Sequence, residues 1–209
     1  MTQGLFISFE GGEGAGKSTQ IDILADRLED AGHMVFKTRE PGGSPGAERI
    51  REVMLSGTVD AWDARTELLL ATAARRDHVE KAIRPALQAG KIVLCDRFVH
   101  STLAYQAGRD GVTDDMVRTM HSQMIGDIWP DMTLILDLDP TVALARAARR
   151  DGDDTGRFEQ MDISFHTALR VKFTGLADTD GACQLLNANQ SVARIADQVW
   201  ALAAARLAQ

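Results

Sequence analysis

The sequence of 209 residues contains only two cysteines, no apolar run near the roughly 18 residues that a membrane helix needs, and no secretory signal at its start. Its first residues, "MTQGLFIS", show neither a basic segment nor a small-residue cleavage site. Cys95 lies inside the apolar run "KIVLCDR", where we expect a small buried thiol rather than a nucleophile. These absences predict a soluble, cytoplasmic chain without a disulfide between Cys95 and Cys183.

An excess of positive charge is missing too. The sequence has 23 Lys and Arg residues against 30 Asp and Glu residues, for a formal net charge of −7. This balance disfavours a protein that binds nucleic acid through many phosphate contacts. We therefore expect no nucleic acid and no membrane partner, and any anionic ligand must be held by a local cluster of Arg and Lys residues.

Repeats and low-complexity linkers are also absent, and the length suits one domain spanning residues 1–209. Ile21, Leu24 and Leu28 recur at helical spacing, whereas "MTLILDLD" is apolar at successive positions, as in a strand covered on both faces. Such runs alternate along the chain, which predicts an α/β fold with a doubly wound parallel five-stranded sheet flanked by helices. The predicted strands are 5–10, 33–40, 91–97, 132–139 and 183–188.

Two segments interrupt this alternation. Pro85 lies inside the helical run 64–90 and marks a candidate kink, because proline cannot donate a helical hydrogen bond. The polar, glycine-bearing stretch "RRDGDDTGRFEQ", residues 149–160, is typical of a mobile surface loop.

A glycine-rich stretch, "FEGGEGAGKST", joins the first predicted strand to the following helix. Gly11, Gly16, Lys17 and Ser18 satisfy the pattern G-x-x-x-x-G-K-[ST] in the strand-to-helix context that a phosphate loop requires. Glycines let backbone amides close on a phosphate chain, the lysine reaches the outer phosphates, and the hydroxyl can ligate Mg²⁺. The loop predicts a bound nucleoside triphosphate with Mg²⁺. The predicted nucleotide-binding residues are Gly11, Gly12, Glu13, Gly14, Ala15, Gly16, Lys17, Ser18 and Thr19.

A phosphate loop identifies the ligand and leaves the reaction open. Nucleotide-hydrolysing switches, motors and small-molecule kinases all use one. A GTP switch should carry an N-K-x-D guanine reader after a late strand, and "LNANQS" does not match it. A motor acting on nucleic acid usually needs a longer chain and a basic face. Both alternatives are therefore disfavoured relative to a kinase.

Asp96 and Arg97 end the third predicted strand, at the edge where open α/β sheets bind ligands. An acidic residue there can hold Mg²⁺, in this case together with Ser18, while the arginine binds a phosphate. An ordinary helix-capping pair is the alternative interpretation of the same two residues.

Three motifs together resemble one family. "FEGGEGAGKST", "KTREPGGSPG" and "DRFVHSTLAYQ" occur in the order found in thymidylate kinases, which are P-loop NTPase-like nucleoside monophosphate kinases. The resemblance runs from the first strand to the loop at 149–160, which corresponds to a lid. It implies a transferase of nucleotide biosynthesis that moves the γ-phosphoryl group of ATP onto dTMP, with Mg²⁺, in a homodimer. A kinase of another nucleoside monophosphate is the nearest alternative.

The resemblance also implies roles for individual residues. Arg97 would hold the acceptor phosphate with Arg39 nearby, and Glu13 would meet the sugar 3′-hydroxyl. Tyr105 would exclude ribonucleotides, and Arg75, or else Arg76, would bind the thymine carbonyl. The implied substrate-binding residues are Glu13, Arg39, Arg75, Arg97, Ser101, Thr102, Tyr105 and Gln106.

One position departs from the family pattern. The family usually has a phenylalanine that stacks on the base four residues before the base-reading arginine, and here that position is Ala71. Stacking on an aromatic side chain is worth roughly 1–3 kcal/mol per base in single-strand sites. Leu69 or Leu70 is the expected aliphatic replacement, and dTMP selectivity is less firmly predicted than phosphoryl transfer.

Catalysis of phosphoryl transfer depends on cations around the migrating group. The interior of the phosphate loop has no basic residue, so the resemblance implies a catalytic arginine from the lid, at Arg150 or next to it at Arg149. Arg146 and Arg157 flank the same segment. The predicted catalytic set is Lys17, Arg97, Arg150 and Arg149, and no general base is needed.

Overall fold

A five-stranded parallel sheet forms the centre of the fold. The computed structural model describes residues 4–151 and 157–208, with the side chains of 149–151 outside that description. The strands are β1 (Phe6–Glu10), β2 (Val35–Arg39), β3 (Ile92–Asp96), β4 (Met132–Asp137) and β5 (Cys183–Asn187). They lie in the order β2-β3-β1-β4-β5, and every neighbouring pair is parallel. The predicted parallel five-stranded α/β sheet is confirmed.

Helices connect the strands and cover both faces of this sheet. Within the described residues, none of them is long and apolar enough to cross a lipid bilayer. The helices are α1 (Lys17–Asp30), α2 (Pro45–Leu55), α3 (Ala64–His78), α4 (Arg84–Gln88), α5 (Val99–Tyr105), α6 (Asp114–Met124), α7 (Pro140–Asp151), α8 (Ile163–Thr179) and α9 (Val192–Leu207).

The helical run that contains Pro85 changes its winding just before that residue. A π-helical segment, Val79–Ile83, separates α3 from α4, and Pro85 lies in the first turn of α4. Proline lacks an amide N–H and its ring crowds the preceding turn, so the wider π turn accommodates it. The predicted interruption therefore takes the form of a π-helical turn.

Successive strand residues enter two hydrophobic cores, one on each face of the sheet. Phe6 and Val93 point into the core covered by α3, α5, α6 and α8, whereas Ile7 and Leu94 point into the core beneath α1 and α9. This alternation of directions, with both faces covered, explains why the strand sequences are apolar at consecutive positions. Both cysteines are buried free thiols, as expected.

The strand order creates a switch point beside β1. The chain passes from β1 to β2 on one side, returns to β3, and then continues to β4 and β5 on the other side. Helical connections thus leave the carboxyl ends of β1 and β3 in diverging directions and open a crevice between them. The phosphate loop and the Asp96-Arg97 pair both lie at this edge.

Candidate active site

The phosphate loop fills the connection between β1 and α1. Gly11 and Gly14 have φ values of +129° and +71°, which L side chains rarely adopt. A Cβ on Gly14 would lie 2.1 Å from the Ala143 carbonyl oxygen, and one on Gly11 would lie 2.5 Å from that of Leu136. Gly16 precedes α1 without any side-chain cap, so the first amides of the helix remain available to an anion.

Lys17 folds back over the loop that precedes it. Its Nζ donates hydrogen bonds to the carbonyl oxygens of Gly11 at 3.2 Å and Gly12 at 3.0 Å. Burial and the nearby Arg97 charge lower the pKa of Lys17. The ammonium group is thus held against the rim of the loop, where the outer phosphates of a nucleotide would lie.

Ser18 and Asp96 lie side by side although they belong to different elements. The Ser18 hydroxyl, in the first turn of α1, donates a 2.9 Å hydrogen bond to Asp96 Oδ2 at the end of β3. Hydroxyl and carboxylate oxygens are the hard ligands that Mg²⁺ prefers. The donor set therefore fits the predicted cation.

Arg97 connects the loop to α5. Its Nη1 donates to the Gly11 carbonyl oxygen at 2.9 Å and to Ser101 Oγ at 3.2 Å, and its Nη2 donates to Glu13 Oε1 at 2.7 Å. Its φ of 71° is unusual for a residue with a side chain. Such backbone strain costs on the order of 1–3 kcal/mol and is found mainly at functional sites.

Tyr105 closes the same side of the cleft from the end of α5. Its hydroxyl donates to Glu13 Oε1 at 3.2 Å, and the Arg97 guanidinium lies 5.2 Å from its ring centroid. Burial raises the pKa of Tyr105 above its usual value, so the phenol stays protonated as a donor. One carboxylate oxygen of Glu13, Oε1, therefore accepts hydrogen bonds from both Arg97 and Tyr105.

Arg75 projects from α3 into the cleft. Its Nε donates to Glu40 Oε2 at 2.7 Å and its Nη2 to Thr102 Oγ1 at 2.9 Å, and the guanidinium packs over the Phe98 ring. Arg76 instead pairs with Glu80 at the surface. The structure therefore brings Arg75, and not Arg76, to the site.

Glu40, which holds Arg75, was missed by sequence reasoning. It lies in the "TREPGG" motif and also contacts His78 Nδ1, 3.1 Å away. The signal was present, since this acidic residue lies inside a motif already singled out, but its partner Arg75 is 35 positions away.

Further basic side chains line the phosphate side of the cleft. Arg39 is half-exposed and pairs with Glu48, while Arg51 on α2 donates to the Pro41 carbonyl oxygen at 2.7 Å. Burial and the Arg39 charge lower the pKa of Arg51. Arg51 was not predicted, because the sequence of α2 does not distinguish it from the other charged residues of that helix. Only the packing of α2 in the fold places Arg51 beside the cleft.

These elements enclose one cleft of about 540 Å³. The phosphate loop forms one wall, and residues of α3 and α5 form the other. Gln106 also lines it, with its amide donating to the buried Glu67 at 3.0 Å. The lining includes Glu13, Gly14, Gly16, Lys17, Ser18, Thr19, Arg39, Arg75, Asp96, Arg97, Ser101, Thr102, Tyr105 and Gln106.

The buried carboxyl group of Glu10 binds two residues that line the cleft, Phe98 and Ser101. Glu10 accepts hydrogen bonds from the Phe98 amide at 2.8 Å and from Ser101 Oγ at 2.5 Å. Burial raises the pKa of Glu10. This residue too was missed, because it reads simply as the last residue of a strand.

Ala71 faces the cleft, and the expected aliphatic replacement for a stacking aromatic is wrong. Leu69 points outward with 60% of its surface exposed, and Leu70 packs against the hydrophobic core and does not line the cleft. The apolar lining beside Ala71 comes from Met54, Leu55, Phe98 and Phe158.

The predicted lid lies largely outside the described residues. Arg149 and Arg150 are in the last turn of α7, but their side chains and residues 152–156 are not described, so the lid arginine stays a prediction. Arg157 is fully buried. It donates to the carboxylate of Glu67 and to several backbone carbonyls, including Val59, and therefore serves the fold rather than a lid.

Comparisons with known proteins agree with this geometry. The sequence model of the thymidylate kinase family matches residues 9–199. Thymidylate kinase of Caulobacter vibrioides is 54% identical over 177 residues, covering 85% of this chain and 84% of that protein. Thymidylate kinase of Magnetococcus marinus is 50% identical over 199 residues, with coverages of 95% and 94%.

A solved structure shares the arrangement of elements as well. The crystal structure of thymidylate kinase from Ehrlichia chaffeensis matches with a TM-score of 0.78 at 29% sequence identity, covering 96% of this chain and 99% of that one. The family match extends from β1 into α9, and the cleft lies where the motifs converge. This chain belongs to the thymidylate kinase family.

Proposed function

We propose that this chain converts dTMP to dTDP by direct in-line transfer of the γ-phosphoryl group of ATP inside the 540 Å³ cleft. The reaction follows from membership of the family over nearly the whole chain. The observation that carries the mechanism is the position of Arg97, which joins the donor loop to the acceptor wall through Gly11 and Ser101.

The donor end is formed by backbone amides and one lysine. The glycine loop and the uncapped start of α1 would bind the phosphates of ATP, and Lys17 would reach the outer ones. Ser18 and Asp96 would hold Mg²⁺, which when bound neutralises phosphate charge.

The acceptor end is formed by Arg97 with Arg39 and Arg51. These cations would hold the phosphate of dTMP, with one of its oxygens facing the γ-phosphorus. A bond forms between that oxygen and phosphorus, while the bond from phosphorus to the bridging oxygen of ADP breaks. Because the attacking oxygen is already anionic, no side chain has to remove a proton.

The sugar and base would occupy the wall formed by α3 and α5. Glu13 would accept from the 3′-hydroxyl, and Tyr105 would crowd the 2′ position. Arg75, held by its hydrogen bonds to Glu40 and Thr102, would donate to a base carbonyl. Arg150, or Arg149, would add a cation from the lid, and replacing both with alanine should lower kcat.

Acceptor choice provides the test. A coupled assay of ADP release is run with dTMP, dUMP, dCMP, dGMP and UMP at equal concentrations. We expect dTMP to have the highest kcat/KM. A better acceptor among the other four would replace dTMP in this proposal, and turnover that ignores every monophosphate would indicate a nucleotide-hydrolysing switch.

We also propose that the chain is a single domain that works as a cytoplasmic homodimer. The family resemblance supports the dimer, and two buried free thiols suit a reducing compartment. Light scattering coupled to size exclusion should give twice the 22.7 kDa chain mass.

A further inference from the structure

Three potential metal ligands converge on the side of α5 that faces away from the cleft. His100 comes from α5, Asp180 directly follows α8, and Cys183 begins β5. Their ligand atoms all lie within 4.8 Å of one another. His100 and Cys183 are buried, whereas the Asp180 side chain is partly exposed. His100 is distant in sequence from Asp180 and Cys183, which lie three positions apart, and none of the three belongs to the proposed kinase site.

The spacing of these atoms is close to that of a tetrahedral zinc site. His100 Nε2 lies 3.2 Å from Asp180 Oδ2. With Zn–N and Zn–O bonds of roughly 2.0–2.1 Å, the nitrogen-to-oxygen edge of a tetrahedron is about 3.3 Å. With a Zn–S bond of about 2.3 Å, the edges to sulfur are about 3.6 Å, so the sulfur has to move inward by about 1.2 Å at most from its separation of no more than 4.8 Å.

The imidazole is already oriented by a second hydrogen bond. His100 Nδ1 lies 3.2 Å from Thr133 Oγ1, and that hydroxyl is 2.9 Å from Ser8 Oγ. Ligating histidines usually donate their other ring N–H in this way, which fixes the ring and its tautomer. In the tautomer whose Nδ1–H donates to Thr133, the Nε2 lone pair faces the Asp180 carboxylate. Either a proton or a cation must then lie between those two atoms.

We propose that His100, Asp180 and Cys183 form a binding site for a thiophilic divalent cation of the zinc class. One nitrogen, one oxygen and one sulfur ligand favour zinc over Mg²⁺, which prefers oxygen ligands. A water molecule would complete the tetrahedron from the partly exposed side of Asp180. The carboxylate and the thiolate together would neutralise the two charges of the ion.

Protons compete with the cation at this site. Burial raises the pKa of Cys183 to about 12, so the thiol is neutral at physiological pH and its proton must pass to solvent when a metal–sulfur bond forms. The hydrogen bond with His100 is the main cause that lowers the pKa of Asp180. The nearby Arg118 also lowers the pKa of both Asp180 and Cys183, and its charge opposes a second cation.

Cobalt provides a test independent of kinase activity. The metal-free full chain is titrated with Co²⁺, without nucleotide or Mg²⁺, while the near-ultraviolet thiolate-to-cobalt charge-transfer band is recorded. We expect a band that saturates at one equivalent and disappears when Zn²⁺ is added, because zinc binds such sites more tightly. The Ser18 and Asp96 pair has no sulfur and cannot produce this band.

Two cysteine variants locate the site. Cys183→Ser should abolish the band, whereas Cys95→Ser, which removes the other buried thiol, should retain it. Asp180→Asn changes a partly exposed side chain and should therefore fold, so it still tests the site if Cys183→Ser does not fold. It should weaken Co²⁺ binding by roughly 10–100-fold. No charge-transfer band in the wild type, loss of the band in Cys95→Ser, or an unchanged affinity in Asp180→Asn would overturn the proposal.

Discussion

The Arg97 guanidinium and the Glu13 carboxylate are joined by a 2.7 Å hydrogen bond, although the two residues lie 84 positions apart. Glu13 belongs to the phosphate loop, and Arg97 directly follows β3. An acceptor phosphate would have to compete with Glu13 for the same guanidinium, which would free the carboxylate for a sugar hydroxyl. This pair therefore couples the positions proposed for donor and acceptor.

Replacing Arg97 tests that coupling. Arg97→Ala should lower kcat/KM for dTMP by roughly 10³–10⁵, the range that one arginine contributes to phosphoryl transfer. Arg97→Gly is the matched control, because glycine adopts the φ of 71° without strain. It should be equally inactive but more stable than the alanine variant by about 1 kcal/mol. Near-normal activity in either variant would contradict the assignment.

Arg75 and Arg76 provide a neighbouring pair for testing base recognition. Arg75→Ala should raise KM for dTMP by roughly 10–100-fold, since hydrogen bonds to charged groups contribute about 1.5–3 kcal/mol, while KM for ATP stays unchanged. Arg76 faces the surface, so Arg76→Ala should leave both KM values unaltered. Steady-state kinetics on folded variants measures this, and equal effects of the two substitutions would refute it.

The buried pair of Arg157 and Glu67 makes a prediction about stability. Arg157→Ala leaves the Glu67 carboxylate buried without this partner and should lower the free energy of unfolding by about 3–5 kcal/mol. Arg146 is exposed on α7, and Arg146→Ala should change stability by less than about 0.5 kcal/mol. Urea denaturation distinguishes the two. If Arg157→Ala were fully stable but slow in turnover, Arg157 would belong to the lid.

His121 should make stability depend on pH. Burial lowers its pKa to about 4, from an ordinary value of 6.5, and its Nε2 donates to the Ile128 carbonyl oxygen at 2.9 Å. Between pH 6.5 and 4, His121 is therefore protonated in the unfolded chain but neutral in the folded chain. The free energy of unfolding falls as the pH falls through this range.

His121→Gln keeps a donor for Ile128 and removes this titration. Relative to that variant, the wild type should lose about 2 kcal/mol of unfolding free energy between pH 7 and pH 5. Urea unfolding at both pH values measures the difference. An identical difference at the two values would show that His121 does not titrate as described.

Local patterns were enough to predict the phosphate loop and its position between a strand and a helix. Gly11, Lys17 and Ser18 are close in sequence, and strand, loop and helix geometry bring them together without help from the rest of the chain. Asp96 and Arg97 were predictable because carboxyl ends of parallel strands meet at one edge. Resemblance to a family supplied the acceptor residues.

The positions of other residues depend on long-range packing, which could not be predicted from the sequence. Glu40 and Arg51 acquire their positions only when α2 and α3 dock beside β2 and β3. Leu69 was predicted to contact the base in place of an aromatic ring, but the orientation of α3 in the fold exposes its side chain to solvent. Arg157 was a candidate lid cation because it lies in a polar segment. In the structure it is buried and donates a hydrogen bond to Glu67, 90 positions earlier.

Direct transfer between two nucleotides in one cleft is the central claim, and stereochemistry at the transferred phosphorus tests it most directly. ATP made chiral at the γ-phosphorus with oxygen isotopes is used to phosphorylate dTMP, and the configuration of the phosphoryl group in dTDP is determined. A single in-line displacement predicts inversion. Retention, which requires a phosphorylated enzyme intermediate, would contradict the account.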